Sequence, residues 1–219
     1  MTTPAHTKNS WLIKQRFFNR HPKELLFTPQ FISFGNQKLS VSTISDLSQG
    51  EPLQYRFGIE WIRGFEFTVG RKYQLFIKNG DGETIKISFG SYYGINKISL
   101  FNQYIEILNQ LWRSYFDGLV DQYLELFKQK IPFTLANVKF DEFGIKIKSA
   151  SFIKEEEKSL PWDDVGTKDY QTYFAIFSKQ APSLINKGYS YLDNWNTRIL
   201  YSVVQTILLR REGQKKFDN

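Results

Sequence analysis

Two stretches of this sequence match each other in order and spacing, one beginning at Phe27 and the other at Phe133. Single coincidences arise easily in a chain that is 17% aromatic, but an ungapped series is typical of a duplicated segment. The sequence therefore predicts one fold built twice. The matched positions, all at a constant offset of 106 residues, are Phe27 with Phe133, Thr28 with Thr134, Ile32 with Val138, Phe34 with Phe140, Leu39 with Ile145 and Val41 with Ile147.

Aromatic landmarks further along keep the same order at slightly smaller offsets. Trp61 precedes Tyr73 in the first half, as Trp162 precedes Tyr173 in the second. Aromatic residues in alternating segments are chiefly strand formers that fill cores. We therefore expect Trp61 and Trp162 to be buried at equivalent places in two cores.

Each half ends in a helical pattern. Apolar residues recur three and four positions apart over residues 101–116 and again over residues 194–211. We expect residues 25–116 and 133–211 to superpose as two copies of one fold. Between them, residues 117–132 continue a helical stripe, for which the glycine near its start predicts a bend.

Short alternating segments separated by turn residues precede each helix. In the first half they predict about six or seven strands, with a hairpin turn at Gly35-Asn36 and another at 79–82. The second half is similar but less regular. A weak strand near 188–192 leaves residues 180–193 open between strand and loop.

Many short antiparallel strands, a Trp in a middle strand and a terminal helix, all occurring twice, resemble the bacterial pleckstrin-homology-like fold. The resemblance rests on Trp61, Trp162 and the two terminal helices. It implies an α+β fold of two bent antiparallel sheets or partial barrels, each capped by a C-terminal helix and joined by a helical linker. The implied divisions are a basic N-terminal segment at 1–24, domain 1 at 25–116, the linker at 117–132, domain 2 at 133–211 and a C-terminal tail at 212–219.

That resemblance implies a protein that binds lipids, peptides or other proteins and seldom catalyses a reaction. Phosphoinositide-binding members of the superfamily place basic residues around their first hairpin. Here the first hairpin turn has only Lys38 beside it, and the corresponding turn of the second half carries Asp141 and Glu142. The sequence therefore gives little support to that ligand mode.

Enzymatic chemistry finds little support in the residues themselves. The chain has no Cys, only two His, both near the N-terminus, and no nucleotide-binding, serine-hydrolase or zinc-protease motif. Glu155, Glu156 and Glu157 are typical of a solvated loop, and Asp163 and Asp164 are adjacent residues that point to opposite faces of a strand. We therefore predict a protein that is not an enzyme and has no metal or cofactor.

Positive charge is concentrated at the two ends. The chain has a net charge of +7, of which +4 lies in residues 1–30 and +2 in residues 207–219. Weak, salt-sensitive contact with an anionic surface is therefore expected at the ends, and specific nucleic-acid binding is not expected. The residues assigned to it are Lys14, Arg16, Arg20, Arg210, Arg211, Lys215 and Lys216, with Lys139, Lys146 and Lys148 as a secondary basic strip.

Four tyrosines flank glycines in predicted loops and are candidates either for a recognition surface or for plugs at the ends of the sheets: Tyr92, Tyr93, Tyr189 and Tyr191.

The leading hypothesis is a scaffold that recognises a protein or peptide partner. The alternatives are a peripheral membrane or lipid-binding protein that uses its basic termini, and an enzyme of an unrecognised class. No apolar run approaches the roughly 18–20 residues that cross a bilayer, so a cytoplasmic protein is expected, while nothing in the sequence identifies the partner or the oligomeric state.

Overall fold

The described strands of this protein form two antiparallel sheets in each half of the chain, one of four strands and one of three. The computed structural model describes residues 9–14, 21–41, 52–150 and 155–217. The chain divides into two compact units, Met1–Asp117 and Gly118–Asn219, which we call unit 1 and unit 2. In both units a helix follows the last strand.

Unit 1 places its four-stranded sheet first, in the order β1-β2-β3-β4, and its three-stranded sheet second, in the order β5-β6-β7. Helix α1, Lys97–Leu111, follows and continues into a π-helical turn, Trp112–Phe116. The strands are β1 Ser10–Ile13, β2 Lys23–Phe27, β3 Phe31–Phe34, β4 Gln37–Ser40, β5 Gln54–Gly64, β6 Phe67–Lys78 and β7 Thr84–Tyr92.

Unit 2 begins within helix α2, Asp117–Lys128, and ends with helix α3, Thr197–Phe217. Between them lie a four-stranded sheet, β11-β10-β9-β8, and a three-stranded sheet, β12-β13-β14. The strands are β8 Phe133–Leu135, β9 Val138–Phe140, β10 Gly144–Ala150, β11 Glu155–Pro161, β12 Val165–Asp169, β13 Tyr173–Ser178 and β14 Asn186–Ser190.

The strand registers refine the repeat that the sequence indicates. In unit 1, Ile32 of β3 lies opposite Phe27, and in unit 2 its counterpart Val138 lies opposite Leu135. Strand β8 is therefore offset from its counterpart β2 by 108 residues, while the central strand β9 is offset from its counterpart β3 by 106. A change of two residues preserves which face a side chain occupies, because side chains alternate along a strand.

A turn of different length accounts for each change of offset. Four residues separate Phe27 from Ile32, whereas two separate Leu135 from Val138. At the next turn the difference is reversed, because two residues separate Phe34 from its partner Gln37 and four separate Phe140 from its partner Ile145. The two changes compensate, so β10 is offset from β4 by 108 residues, as β8 is from β2.

The α+β class is confirmed, but the sheets are open rather than closed barrels. The seven described strands of each unit are divided between two sheets instead of forming one continuous bent sheet. The strand left undecided within 180–193 is β14. Among the described residues no helix is long and apolar enough to span a membrane.

Several local predictions differ from the structure. The segment 1–24 contains β1, whose Trp11 and Ile13 are buried, because Trp11 packs on the ring of Phe27 at a centroid distance of 5.2 Å. Residues 212–217 continue helix α3, and 155–157 begin β11 rather than a loop. Helical structure continues through Gly118, and the irregular turn lies just before it.

Candidate functional site

Strand β12 is the edge of the three-stranded sheet of unit 2, and no described strand pairs with its outer side. The amide of Lys179 donates to the carbonyl of Asp164 at 2.8 Å, and the amide of Tyr170 donates to the carbonyl of Tyr173 at 2.9 Å. These two bonds make the even-numbered residues of β12 the ones that pair with β13. The amide and carbonyl groups of Thr167 and Asp169 therefore point outward, away from the sheet.

Helix α3 runs beside this edge and leaves a groove of about 240 Å³. The helix residues Leu208 and Leu209 supply an apolar wall, and Leu209 is 64% exposed. The remaining lining comes from β12, from β13 and the residue after it, and from α3: Val165, Gly166, Thr167, Phe177, Lys179, Gln205 and Glu212.

The floor of the groove depends on a glycine. Gly166 lies opposite Phe177 in the ladder, and a Cβ atom placed on Gly166 would lie only 2.5 Å from the Phe177 ring. The ring therefore lies across the glycine. Any larger residue at position 166 would displace Phe177 from the floor.

Polar contacts hold the helix against the strand. The Nε2 atom of Gln205 donates a short hydrogen bond to the hydroxyl of Thr167, which joins α3 to β12. The guanidinium of Arg211 lies 3.9 Å from the carboxylate of Asp163, in the turn before β12. The charged groups of Lys179 and Glu212 line the groove itself.

Asp164, one of the two adjacent aspartates that the sequence places on opposite faces of a strand, has a structural role. Its carboxylate accepts hydrogen bonds from the Ser178 hydroxyl at 2.6 Å and from the Gln180 amide at 2.8 Å. These bonds, the one from Ser178 first, lower the pKa of Asp164. Its neighbour Asp163 faces Arg211 instead, so the two carboxylates do not form one site. In the described part of the chain no group of three acidic or His side chains could hold a metal ion.

The predicted anionic-surface residues are divided between the two units, and some of them lie outside the described residues. Lys14 follows β1 in unit 1, and Arg210 lies on α3 in unit 2; both are exposed. Arg211 is half-buried beside Asp163. Two of the remaining residues, Lys215 and Lys216, belong to the last turns of α3, and Arg16 and Arg20 lie outside the described residues.

The secondary basic strip, by contrast, is brought together on one sheet face. Lys139 and Lys146 lie directly opposite each other, and Lys148 follows two residues along β10. Glu157 lies opposite Lys148, and its carboxylate is 2.7 Å from the Nζ of Lys139. The hydrogen bond from Lys139, with the charges of all three lysines, lowers the pKa of Glu157. The strip is thus an ion-pair network on the strands, with part of its charge neutralised.

The two tryptophans differ, and the prediction of equal burial is wrong for Trp61. Trp162 is 2% exposed and its indole nitrogen donates to the carbonyl of Asp141 at 3.0 Å, whereas Trp61 is 43% exposed. The hydroxyl of Tyr73 reaches the carbonyl of Lys97, the first residue of α1, at 3.5 Å. Trp61 lies two residue pairs further out along the hairpin than Tyr73, past the start of the covering helix.

The four loop tyrosines also separate into two classes. Tyr93 is exposed and adopts a left-handed backbone with φ of 50°, while Tyr92 is half-buried. Tyr189 and Tyr191 are buried; Tyr189 stacks on Phe174 at 5.4 Å. Burial raises the pKa of both of these hydroxyls. Only Tyr93 is placed to contribute to a recognition surface.

Sequence reasoning missed the groove residues. Val165 and Thr167 alternate as strand residues do, and Leu208 and Leu209 read as part of an apolar helix. No local pattern states which strand is the edge of a sheet or which helix lies beside it. The available signal was Gly166, a glycine inside a strand pattern, which marks a close approach of neighbouring groups.

Comparison of the chain with protein-family models, with curated proteins and with solved structures gave no match.

Proposed function

We propose that this protein is a non-catalytic binding protein on a tandem pleckstrin-homology-like plan, and that unit 2 binds an extended peptide segment of a partner protein in the groove between β12 and α3. The observation that carries the proposal is the outward direction of the Thr167 and Asp169 backbone groups beside an apolar helix wall. An extended peptide can add a strand to such an edge through main-chain hydrogen bonds.

The order of elements supports the pleckstrin-homology-like part of the proposal. Each unit has four strands in one sheet and three in the next, followed by a helix. This is the order of elements that the sequence resemblance implies. The scaffold role and the bacterial setting rest on that resemblance alone, and the cytoplasmic setting rests on the lack of a long apolar run in the sequence.

The lining of the groove defines the chemistry of the peptide. Leu208, Leu209 and the Phe177 ring favour an apolar side chain, whereas Lys179 and Glu212 provide one charge of each sign. Successive side chains of an added strand alternate in direction, so only every second one can face α3. The expected ligand is an extended segment with apolar residues at alternate positions and little net charge.

Selection of random peptides displayed on phage, with the full chain as bait, tests the proposal. Thr167→Pro removes the outward amide, and proline is tolerated at a strand edge whose amide faces solvent. Thr167→Val removes the bond from Gln205 but keeps the amide, and is the matched control. We expect Thr167→Pro to bind the selected peptides about tenfold more weakly than Thr167→Val does, since a lost main-chain hydrogen bond in a pairing site costs on the order of 1–3 kcal/mol.

A second pair of variants tests the helix wall. Leu209→Asp places a charge on the apolar side of the groove, and Leu12→Asp places one at an equally exposed position of unit 1, the two leucines being 64% and 65% exposed. Only Leu209→Asp should weaken peptide binding. Peptides that bind both Thr167→Pro and Leu209→Asp as tightly as the parent chain would contradict the proposal.

A further inference from the structure

The longest hairpin of unit 1 extends beyond its own sheet. Strand β7 ends at Tyr92, which lies opposite Gly70, so β5 and β6 continue as a two-stranded extension over residues 63–69. We call this extension, together with Trp61 at its base, the hairpin tip. Its large apolar side chains are exposed: Phe65 fully, Phe67 largely and Trp61 by about half.

These three rings point in different directions. Trp61 lies opposite Arg71, and Phe67 lies opposite Gly64. Trp61 and Gly64 are three residues apart on β5, the strand without the bulge, so Trp61 and Phe67 occupy opposite faces of the hairpin. Phe65 is at the apex, in a left-handed backbone conformation with φ of 51° that a bulky side chain rarely adopts.

A neighbouring loop adds apolar groups to the same end of unit 1. The amide of Tyr93 donates to the carbonyl of Val69 at 2.8 Å, which fixes the loop after β7 against the base of the tip. The Ser91 hydroxyl donates to the carbonyl of Ile95 at 2.8 Å and holds the loop closed. The exposed apolar side chains of this loop and of the start of α1 are Tyr93, Ile95 and Ile98.

Apolar rings on both faces and at the apex of a projecting hairpin do not suit a partner that covers one side. A rigid protein surface would bury Trp61 or Phe67 but leave the other in water. A lipid interface surrounds an inserted hairpin on all sides. Trp and Tyr are enriched at the interface between membrane and water, and Trp and Phe occur on the buried apolar face of segments that lie there.

The size of the tip agrees with that environment. Phe65 lies three residues beyond Ile62, the last β5 residue paired before the bulge. At about 3.3 Å per residue the apex projects on the order of 10 Å, which is comparable to the depth of roughly 5–10 Å at which interfacial segments lie.

The charges at this end are those that an anionic surface would attract. Arg63 and Lys97 are exposed, and the guanidinium of Arg71 lies 4.1 Å from the centre of the Trp61 ring. Glu66 is the acidic residue of the tip, so residues 62–71 and 92–98 together carry a net charge of +2. Each cation near an anionic membrane contributes about 1 kcal/mol of attraction.

We propose that this end of unit 1 inserts into the interface of an anionic lipid bilayer, with Phe65 deepest and Arg63, Arg71 and Lys97 at the level of the headgroups. The proposal concerns unit 1 and is independent of the peptide groove in unit 2. It also places membrane contact in a folded hairpin rather than in the basic ends of the chain.

Vesicle flotation with the full chain tests the proposal. The vesicles contain either equal parts phosphatidylcholine and phosphatidylserine or phosphatidylcholine alone. We expect binding to the anionic vesicles, and Phe65→Ser with Phe67→Ser should lower the partition coefficient by about tenfold for each ring removed. The control changes Phe143 and Leu184 to Ser; each is 76% exposed, and both belong to unit 2.

Depth is measured with a fluorescent probe at the apex. Phe65→Trp should add a Trp fluorescence component whose emission shifts to shorter wavelength on vesicle binding and is quenched by brominated lipid. Phe143→Trp should add no component with this behaviour. Absence of vesicle binding by the parent chain would overturn the proposal, as would equal binding by the double Ser variant, which would assign the attraction to the basic ends. Self-association of the parent chain that the double Ser variant abolishes, without vesicle binding, would make a second copy the occupant and would also overturn it.

Discussion

Units 1 and 2 share a three-stranded meander but extend it at opposite edges. By sequence match and register, β2-β3-β4 of unit 1 corresponds to β8-β9-β10 of unit 2. The fourth strand of unit 1 is β1, which precedes the meander and pairs with β2, whereas that of unit 2 is β11, which follows it and pairs with β10. The repeated residues thus define the meander and its buried face, and the flanking residues determine which edge is covered.

The second sheets differ in length, and the difference creates the two candidate surfaces. Strands β5 and β6 have 11 and 12 residues, whereas β12 and β13 have 5 and 6. The long β5–β6 hairpin extends past the start of helix α1, so the end of the hairpin is exposed. The short edge strand β12 runs beside α3 and leaves a groove there. One plan therefore provides a projecting surface in unit 1 and a concave one in unit 2.

Exchanging each tryptophan for alanine should give the largest contrast between the units. Trp162 is fully packed, with the ring of Phe127 at 5.2 Å, so Trp162→Ala should lower the free energy of unfolding by about 3–5 kcal/mol. Trp61→Ala removes a half-exposed ring and one contact with Arg71, and should cost about 1 kcal/mol or less. Urea unfolding of the full chain measures both. Equal losses would mean that Trp61 is covered in solution.

Proline at neighbouring positions of β12 should give the next largest contrast. The amide of Lys168 points toward β13, so Lys168→Pro should cost about 2–3 kcal/mol of unfolding free energy. The amide of Thr167 points outward, so Thr167→Pro should be about as stable as its control Thr167→Val. Thermal unfolding of the two variants measures this contrast. If Thr167→Pro were less stable than Lys168→Pro, the hydrogen bonds between β12 and β13 would be shifted by one residue and the outward-facing groups would be assigned incorrectly.

The turns of the repeated meander should give a smaller contrast. Gly35 and Ala136 both have a left-handed backbone, with φ of 59° and 48°. Gly35→Ala should therefore destabilise unit 1 by about 1 kcal/mol, and Ala136→Gly should stabilise unit 2 by about 0.5 kcal/mol. Denaturant midpoints at unchanged slope measure both effects. A stabilising Gly35→Ala would argue against the two-residue turn between Phe34 and Gln37.

The sequence predicted well which side of a strand a residue occupies, but it predicted poorly which of those residues another element covers. Alternation placed Ile32 and Phe34 on a core face, and both are buried. Trp61, which the sequence predicted to be buried, lies on the same face as Tyr73, but its exposure depends on where α1 begins. That starting point is set by tertiary packing and not by the pattern of β5.

The elements missed were short or decided by long-range pairing. Strand β1 has only four residues in a basic segment, and its existence depends on pairing with β2 and on the packing of Trp11 against Phe27. Finding the groove required the knowledge that β12 pairs on one side only among the described strands, and no window of sequence contains this information. The exposed Phe65 could be read only as an aromatic near a turn until its φ and its position at the apex were known.

Site-resolved amide hydrogen exchange of the full chain, measured with a selected peptide and separately with anionic vesicles, tests the central claim that one plan carries two different surfaces. The peptide should slow exchange at Thr167 and Asp169 and leave unit 1 unchanged. The vesicles should slow exchange over residues 63–69 and leave β12 unchanged. Protection of the same unit by both ligands, or of neither unit by either ligand, would contradict the account.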